Sequence, residues 1–66
     1  MKANVEAYQS GEELGFDDGF YGVKHKTVFK FPDNWKEAEK ENYIKGYETG
    51  YETGYESGFE SASKQY

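Results

Sequence analysis

Glycine and aromatic residues recur together at every fourth position in two segments of the chain. In GYETGYETGYESGF, residues 46–59, each glycine precedes an aromatic residue and then a glutamate. In GEELGFDDGFYG, residues 11–22, the same spacing returns with phenylalanine. Four residues make slightly more than one helical turn, so each segment carries a glycine ridge beside an aromatic ridge. The pattern predicts two helices related by internal duplication, at about residues 3–21 and 34–62.

The segment between the repeats alternates with a period of two. In VKHKTVFKF, residues 23–31, histidine, threonine and phenylalanine alternate with lysine and valine, which predicts a short strand or an extended linker. Asn34, with Glu37 three residues later, is a capping-box start for the second helix. We therefore expect one small all-α domain over residues 1–66, a two-helix hairpin with a linker at about 22–33.

The interior glycines need a packing reason, because each costs roughly 0.5 to 1 kcal/mol relative to alanine. Our interpretation is that rings of one helix lie over the bare backbone of another, so that the axes approach closely. Helix 2 has a longer aromatic ridge than helix 1 can cover, so we expect a homodimer. The residues assigned to helix packing are Gly11, Gly15, Gly19, Phe16, Phe20, Trp35, Tyr43, Gly46, Tyr47, Gly50, Tyr51, Gly54, Tyr55, Gly58 and Phe59. The alternative is a disordered or aggregation-prone low-complexity sequence.

Charge is separated along the chain. The protein has 13 acidic and 8 basic residues and a net charge of −5, yet residues 3–22 and 46–61 contain no base. This argues against direct nucleic-acid binding, which relies on clustered basic residues. With no cysteine, disulfides and thiolate metal sites are excluded. Because no apolar run has the length of a signal peptide or membrane span, we expect a cytoplasmic protein without membrane contact.

Four glutamates form a column on helix 2, and two acids of helix 1 occupy the matching repeat position. The candidate partner-binding residues are Glu48, Glu52, Glu56 and Glu60, with Glu13 and Asp17 as a flanking column from the same chain or a symmetry mate. Like charges at this spacing repel each other, whereas a merely solvated face normally alternates its charges. We expect the column to bind a basic protein surface. The alternative is a face that only keeps the protein soluble.

No catalytic, cofactor or metal site is predicted. His25 is the single histidine and lies among lysines, without carboxylates at ligand spacing. Asp17 and Asp18 point to different helix faces, so helix solvation accounts for them better than a catalytic pair. The chain also lacks a phosphate-binding glycine loop and a dinucleotide motif. We expect a protein that is not an enzyme and uses no cofactor.

Two families share parts of these patterns. AYQSG at residues 7–11, FKFP at 29–32, Trp35 and YIKGY at 43–47 resemble ribosome modulation factor and its phage and plasmid relatives. This resemblance implies a small two-helix fold and association with the ribosome.

The glycine repeats are similar to the Gly-x-x-x repeats of eukaryotic adaptor proteins that deliver iron–sulfur clusters. This similarity implies helix pairing between two subunits through Gly11, Gly15, Gly19, Gly46, Gly50, Gly54 and Gly58. The cluster role does not carry over, because the chain has no cysteine.

Together these features predict a small acidic binding protein that occupies the nucleic-acid-binding surface of a basic partner and so acts as an inhibitor. A phage origin is part of this interpretation, since phages use small acidic chains in this way. The alternatives are an adaptor that pairs with another protein through its glycine and aromatic stripe, and a ribosome-associated factor acting through Lys24 to Lys30.

Overall fold

The computed structural model describes residues 2–64, with side chains for residues 5–64. Helix α1 spans Lys2–Tyr21 and helix α2 spans Glu37–Ser63. The connection between them contains neither helix nor strand in this described range. The predicted all-α fold, with two helices packed on each other, is confirmed.

Helix α1 ends in a glycine cap. Gly22 has a φ of 70°, a conformation that glycine adopts without strain. Its N–H donates to the carbonyl of Gly19 at 3.3 Å, and the N–H of Val23 donates to the carbonyl of Asp18 at 2.9 Å. These two bonds form the Schellman pattern, which satisfies the last carbonyl groups of a helix. The cap ends α1 and lets the chain leave in a new direction.

Helix α2 begins at Glu37 and not at the predicted Asn34 cap. The chain first makes a turn, closed by a 3.1 Å bond from the Trp35 N–H to the Pro32 carbonyl. Lys36 is the N-cap residue, and its N–H donates to the Glu39 carboxylate at 3.3 Å. Because a lysine side chain has no acceptor, only this half of a capping box can form. Asn34 therefore lies in the turn that precedes the helix.

The two helices meet along their glycine ridges, in a contact that we call the seam. Its members are all buried: Gly11, Gly15, Gly19, Gly50, Gly54 and Gly58. An added Cβ on any of them would overlap a backbone carbonyl oxygen of the other helix. The helices thus touch backbone to backbone, the close approach that small residues allow. The interpretation that rings lie over the glycines is wrong, because no space for a ring remains in the seam.

The helices are parallel. Gly11 lies against the backbone of Tyr47, whereas Gly19 lies against that of Tyr55, so the contacts advance towards the C-terminus in both helices. A connection between parallel helices has to return along their length. This direction could not be deduced from the period of the glycines, which is the same for either orientation.

The contacts across the seam are reciprocal. Gly50 lies against the backbone of Tyr8, just as Gly11 lies against the backbone of Tyr47. An approximate two-fold axis along the seam therefore relates the two repeat segments. The corresponding pairs are Tyr8 and Tyr47, Glu12 and Tyr51, and Phe16 and Tyr55.

Residues 23–31, which we call the strap, return along one side of the seam. The side chains of Thr27, Phe29 and Phe31 are half-buried, and those of the alternate positions Lys24, Lys26, Val28 and Lys30 are exposed. Over residues 26–31 this is the alternation of an extended segment with one face against the protein, whereas Val23 and His25 are exposed. The strap packs on the side of the seam where the tyrosines of α2 lie.

Aromatic contacts join the strap to α2. The ring centroid of Phe29 lies 5.2 Å from that of Tyr47 and 6.2 Å from that of Tyr43, both edge to face. The Phe31 centroid lies 5.2 Å from Trp35 and 5.5 Å from Tyr43. Aromatic pairs in these geometries each contribute about 0.5 to 1.5 kcal/mol beyond area burial. The chain therefore covers part of the aromatic ridge itself, which removes one reason for expecting a second chain.

Candidate functional site

Four glutamates, Glu48, Glu52, Glu56 and Glu60, form an exposed column on α2. We call it the glutamate column. Each follows a ridge glycine by two residues, which places it on the face of α2 turned away from α1. A helical rise of about 1.5 Å per residue spaces neighbouring members about 6 Å apart along the axis. Among residues 5–64 none of the four forms an ion pair, so their charges are directed to solvent.

The two acids of α1 lie on the other outer face of the helix pair. Glu13 and Asp17 are exposed and follow seam glycines by two residues, so they project away from α2. The seam thus separates them from the glutamate column. A single chain does not bring the two columns side by side, as a match to two phosphate strands would require.

Lysines of the strap border the glutamate column. Lys24 and Lys26 line a groove together with Glu48 and Glu52. The Lys24 ammonium also lies 5.8 Å from the centroid of the Tyr55 ring, in cation–π geometry. A basic edge therefore runs beside the acidic column on this side of α2. A basic partner would avoid that edge and approach the column from the side away from the strap.

A polar cluster around the buried Asp18 fastens the strap to both helices. Asp18 is only 3% exposed, and its carboxylate accepts a hydrogen bond from the Tyr51 hydroxyl at 2.5 Å. The same carboxylate bonds Nδ1 of His25 at 2.9 Å and accepts from the His25 backbone N–H at 3.2 Å. The prediction that helix solvation accounts for Asp18 is therefore wrong. Asp18 follows Gly15 by three residues, which places it beside the seam, whereas Asp17 points outward.

The cluster shifts two ionisation equilibria in ways that hold it together. The hydrogen bond from Tyr51 lowers the pKa of Asp18, with His25 adding to the effect, although burial acts in the opposite direction. Burial and the neighbouring Asp18 carboxylate raise the pKa of the Tyr51 hydroxyl. At neutral pH Asp18 is therefore ionised and Tyr51 is protonated, as the hydrogen bond requires.

The cluster connects the strap to α1 and α2. His25 comes from the strap, Asp18 from α1 and Tyr51 from α2, so one cluster ties three elements together. A second bond, from the Thr27 hydroxyl to the Tyr47 hydroxyl at 3.0 Å, fixes the next inward position of the strap. No group of three or more metal-ligating side chains occurs within the described residues.

The aromatic residues assigned to helix packing flank the seam. Those that are half-buried are Phe20, Trp35, Tyr43, Tyr47, Tyr51 and Tyr55, whereas Phe16 and Phe59 are exposed. Gly46 is also half-buried, near the N-terminal end of the glycine ridge of α2.

The side of the seam opposite the strap is an open groove. It is lined by Val5, Tyr8, Gln9 and Glu12 of α1 and by Lys45, Gly46 and Thr49 of α2. Phe16 lies one turn beyond Glu12 on the same side of α1. Its ring stacks on that of Phe20, with 6.5 Å between the ring centroids. The molecule thus has a strap-covered groove and an open groove on opposite sides of the seam.

Comparison with protein-family models, curated proteins and solved structures finds no match to this chain. The two family resemblances therefore stay predictions. Within the described residues, neither helix has the length and apolar character needed to cross a membrane. The fold and the site define a parallel helix pair, fastened by a strap and carrying an acidic outer face.

Proposed function

We propose that this protein is a small, non-enzymatic binding protein of the cytoplasm that occupies a basic, nucleic-acid-binding surface of a partner protein. The glutamate column supports this proposal, because four exposed carboxylates on one helix face form no ion pair within the described chain. Lysines and arginines that normally contact phosphates would contact these carboxylates instead. Binding would then inhibit the partner by excluding its nucleic acid, as a phage-encoded inhibitor would do.

Two properties favour tight and rapid binding by the column. The seam and the strap hold α2 in place, so its carboxylates lose little conformational freedom when a partner binds. The net charge of −5 attracts a basic surface over distances up to about 10 Å at 0.1 M salt, which accelerates association.

The adaptor alternative is less favoured by the position of the glycines. Pairing with another protein through the glycine and aromatic stripe needs a free ridge, whereas the glycines of the seam face each other within one chain. The ribosome-associated alternative would use the exposed lysines of the strap, which lie beside the glutamate column. The nearby glutamates weaken the attraction of these lysines for phosphate groups.

The glutamate column is tested by removing two of its charges. Glu52→Gln with Glu56→Gln keeps size and helical character, so the fold should be intact or slightly stabilised by relief of repulsion. Affinity for a partner captured from source cells should fall about tenfold at low salt, chiefly through slower association, because each exposed ion pair contributes about 0.2 to 1 kcal/mol. Nucleic acid that binds the partner should compete with the parent protein.

A matched control removes the same two charges elsewhere. Glu6→Gln with Glu41→Gln changes exposed carboxylates, one on each helix, that lie outside the column. This control should bind the partner nearly as well as the parent protein. If the column variant binds as tightly as the parent at low and high salt, the column only keeps the protein soluble.

A further inference from the structure

The approximate two-fold axis along the seam generates two equivalent grooves, of which the strap fills one. The strap lies in the groove that carries the aromatic ridge of α2. The other is the open groove, which carries the corresponding ridge of α1 and has no strap residue in its lining. Val5 and Phe16 are 57% and 39% exposed there, so apolar surface remains uncovered.

The first feature that the two grooves share is a tyrosine that can bind an extended segment. Thr27 donates to the hydroxyl of Tyr47, and Phe29 packs edge to face on the same ring at 5.2 Å. Tyr8 holds the equivalent position in α1 and lines the open groove. It offers an incoming segment the same hydroxyl and the same ring.

The second shared feature is an aromatic ring over which a lysine ammonium group can lie. Lys24 of the strap lies over the ring of Tyr55. Phe16 holds the equivalent position in α1, and more than a third of its surface is exposed. A lysine of an incoming segment can therefore lie over Phe16 in the same way.

The third feature is a carboxylate, which in the open groove stands at the position equivalent to Tyr51, whereas the position equivalent to Asp18 is Ser57. In the covered groove, Asp18 accepts a bond from Tyr51 and from the backbone N–H of the strap residue His25. In the open groove, the position equivalent to Tyr51 carries the carboxylate itself, as Glu12. Glu12 forms no hydrogen bond or ion pair through its side chain within the described residues. Its carboxylate is available to a backbone N–H or a lysine.

From these counterparts we propose that the open groove binds an extended segment of a partner protein in which lysines alternate with aromatic or β-branched residues. The strap runs from Tyr55 towards Tyr43, antiparallel to α2. The two-fold relation therefore places the incoming segment antiparallel to α1, with its first lysine over Phe16. The inference rests on the proposed function to the extent that both require a basic partner.

Charge identifies a partner protein as the occupant in preference to a second copy of this chain. Two copies carry a net charge of −5 each and repel one another, and each strap is already held in its own groove. The middle of the open groove carries Glu12, with Glu13 next to it on α1, whereas Lys45 lies at the end near Val5. A lysine-bearing segment thus matches the part of the groove from Glu12 to Phe16.

A synthetic peptide VKHKTVFKF, with the sequence of the strap, tests the open groove directly. It is added to the ¹⁵N-labelled full chain, and amide shifts are followed by NMR. We expect shifts at Tyr8, Glu12 and Thr49, with little change at Tyr47 and Tyr55 in the covered groove. A spin label on the N-terminus of the peptide should broaden the signals of Phe16 more than those of Val5.

Two charge reversals on neighbouring residues separate the groove from general attraction. Glu12→Lys should weaken peptide binding about tenfold, whereas Glu13→Lys, on the outer face, should weaken it about twofold through long-range charge alone. Both variants have the same net charge, and far-UV circular dichroism checks that both fold. Equal weakening by the two variants would overturn the proposal.

Three other results would also overturn it. Shifts centred on Tyr47 and Tyr55 would mean that the peptide displaces the strap. Shifts of the open-groove amides with protein concentration alone would identify a second copy as the occupant. A partner that is lost by Glu52→Gln with Glu56→Gln, yet retained by Glu12→Lys, would leave the proposed function standing without this groove. Loss of the partner on Glu12→Lys alone would support the groove while contradicting the column.

Discussion

Replacing Gly54 with alanine should destabilise the protein, although alanine is the better helix former. Gly54 is buried in the seam, and a Cβ there would overlap the backbone carbonyl oxygen of Glu12. The next nearest atoms, including the backbone nitrogen of Phe16, also belong to the main chain. No side-chain rotation can relieve such an overlap. The two helices must therefore move apart, and neighbouring seam contacts loosen with them.

The size of the effect follows from two opposing contributions. Alanine improves intrinsic helix stability by about 1 kcal/mol relative to glycine. Adding volume to a close-packed region costs about 1 to 3 kcal/mol, and the upper value applies here because a helix backbone has to shift. The free energy of unfolding should thus fall by about 2 kcal/mol. Domains have roughly 0.05 to 0.15 kcal/mol of stability per residue, so this is a large share for 66 residues.

Urea unfolding, followed by far-UV circular dichroism at fixed protein concentration, measures this change. Thr53→Ala is the control, because Thr53 is an exposed neighbour on the same helix and gains helix propensity without entering the seam. Gly15→Ala should lose about as much stability as Gly54→Ala, since its Cβ meets the carbonyl of Tyr51. A Gly54→Ala protein as stable as the parent would refute backbone-to-backbone packing.

Two further predictions concern the strap. Because the folded-state pKa of Asp18 is lowered, its contribution to stability is complete above the usual Asp pKa of about 3.9 and is lost as pH falls through the folded-state pKa. When the pH is lowered from 7 to about 2, the free energy of unfolding should therefore fall less for Asp18→Asn than for the parent protein. An equal fall in the urea midpoints of the two proteins would show that the ionised Asp18 does not stabilise the fold. Phe29→Ala should lower the free energy of unfolding by about 2 kcal/mol and weaken the near-ultraviolet circular dichroism, because the substitution removes a half-buried ring that packs on Tyr43 and Tyr47. Val28, which is 79% exposed, provides the Val28→Ala control, and equal effects of the two changes would show that the strap does not pack by its inward face.

The helices and the glycine ridge could be predicted because both depend on spacing along one chain segment. A glycine at every fourth position marks a helix face whatever that face contacts, and the C-terminal end of α1 is set by the local cap at Gly22. The start of α2 depends on more than local sequence. Asn34 offers a cap, but it lies in a turn between Phe31 and Trp35, and both of these rings pack on Tyr43 of α2. A tertiary contact therefore outweighs a local signal.

The candidate site was less predictable because it depends on how the two helices are oriented. The column could be placed on the outside of α2 from its distance to the glycines alone. The burial of Asp18 requires a further fact, namely that the strap lies on the side of the seam where Asp18 and Tyr51 meet. His25 has an exposed ring, and its contact with Asp18 could not be predicted from local spacing, because the two residues are seven positions apart and meet only when the chain turns back.

The parallel direction of the helices accounts for the difference between the two sides of the molecule. An antiparallel pair needs only a short loop, and both grooves beside the seam would then stay open. A parallel pair needs a connection as long as the helices, and the apolar side chains of that connection require a surface on which to pack. One groove supplies this surface to Phe29 and Phe31, and the two-fold axis leaves an equivalent groove that has no strap residue in its lining. Duplication of the repeat therefore provides one groove in which the strap packs and, on our proposal, a second groove that binds a partner.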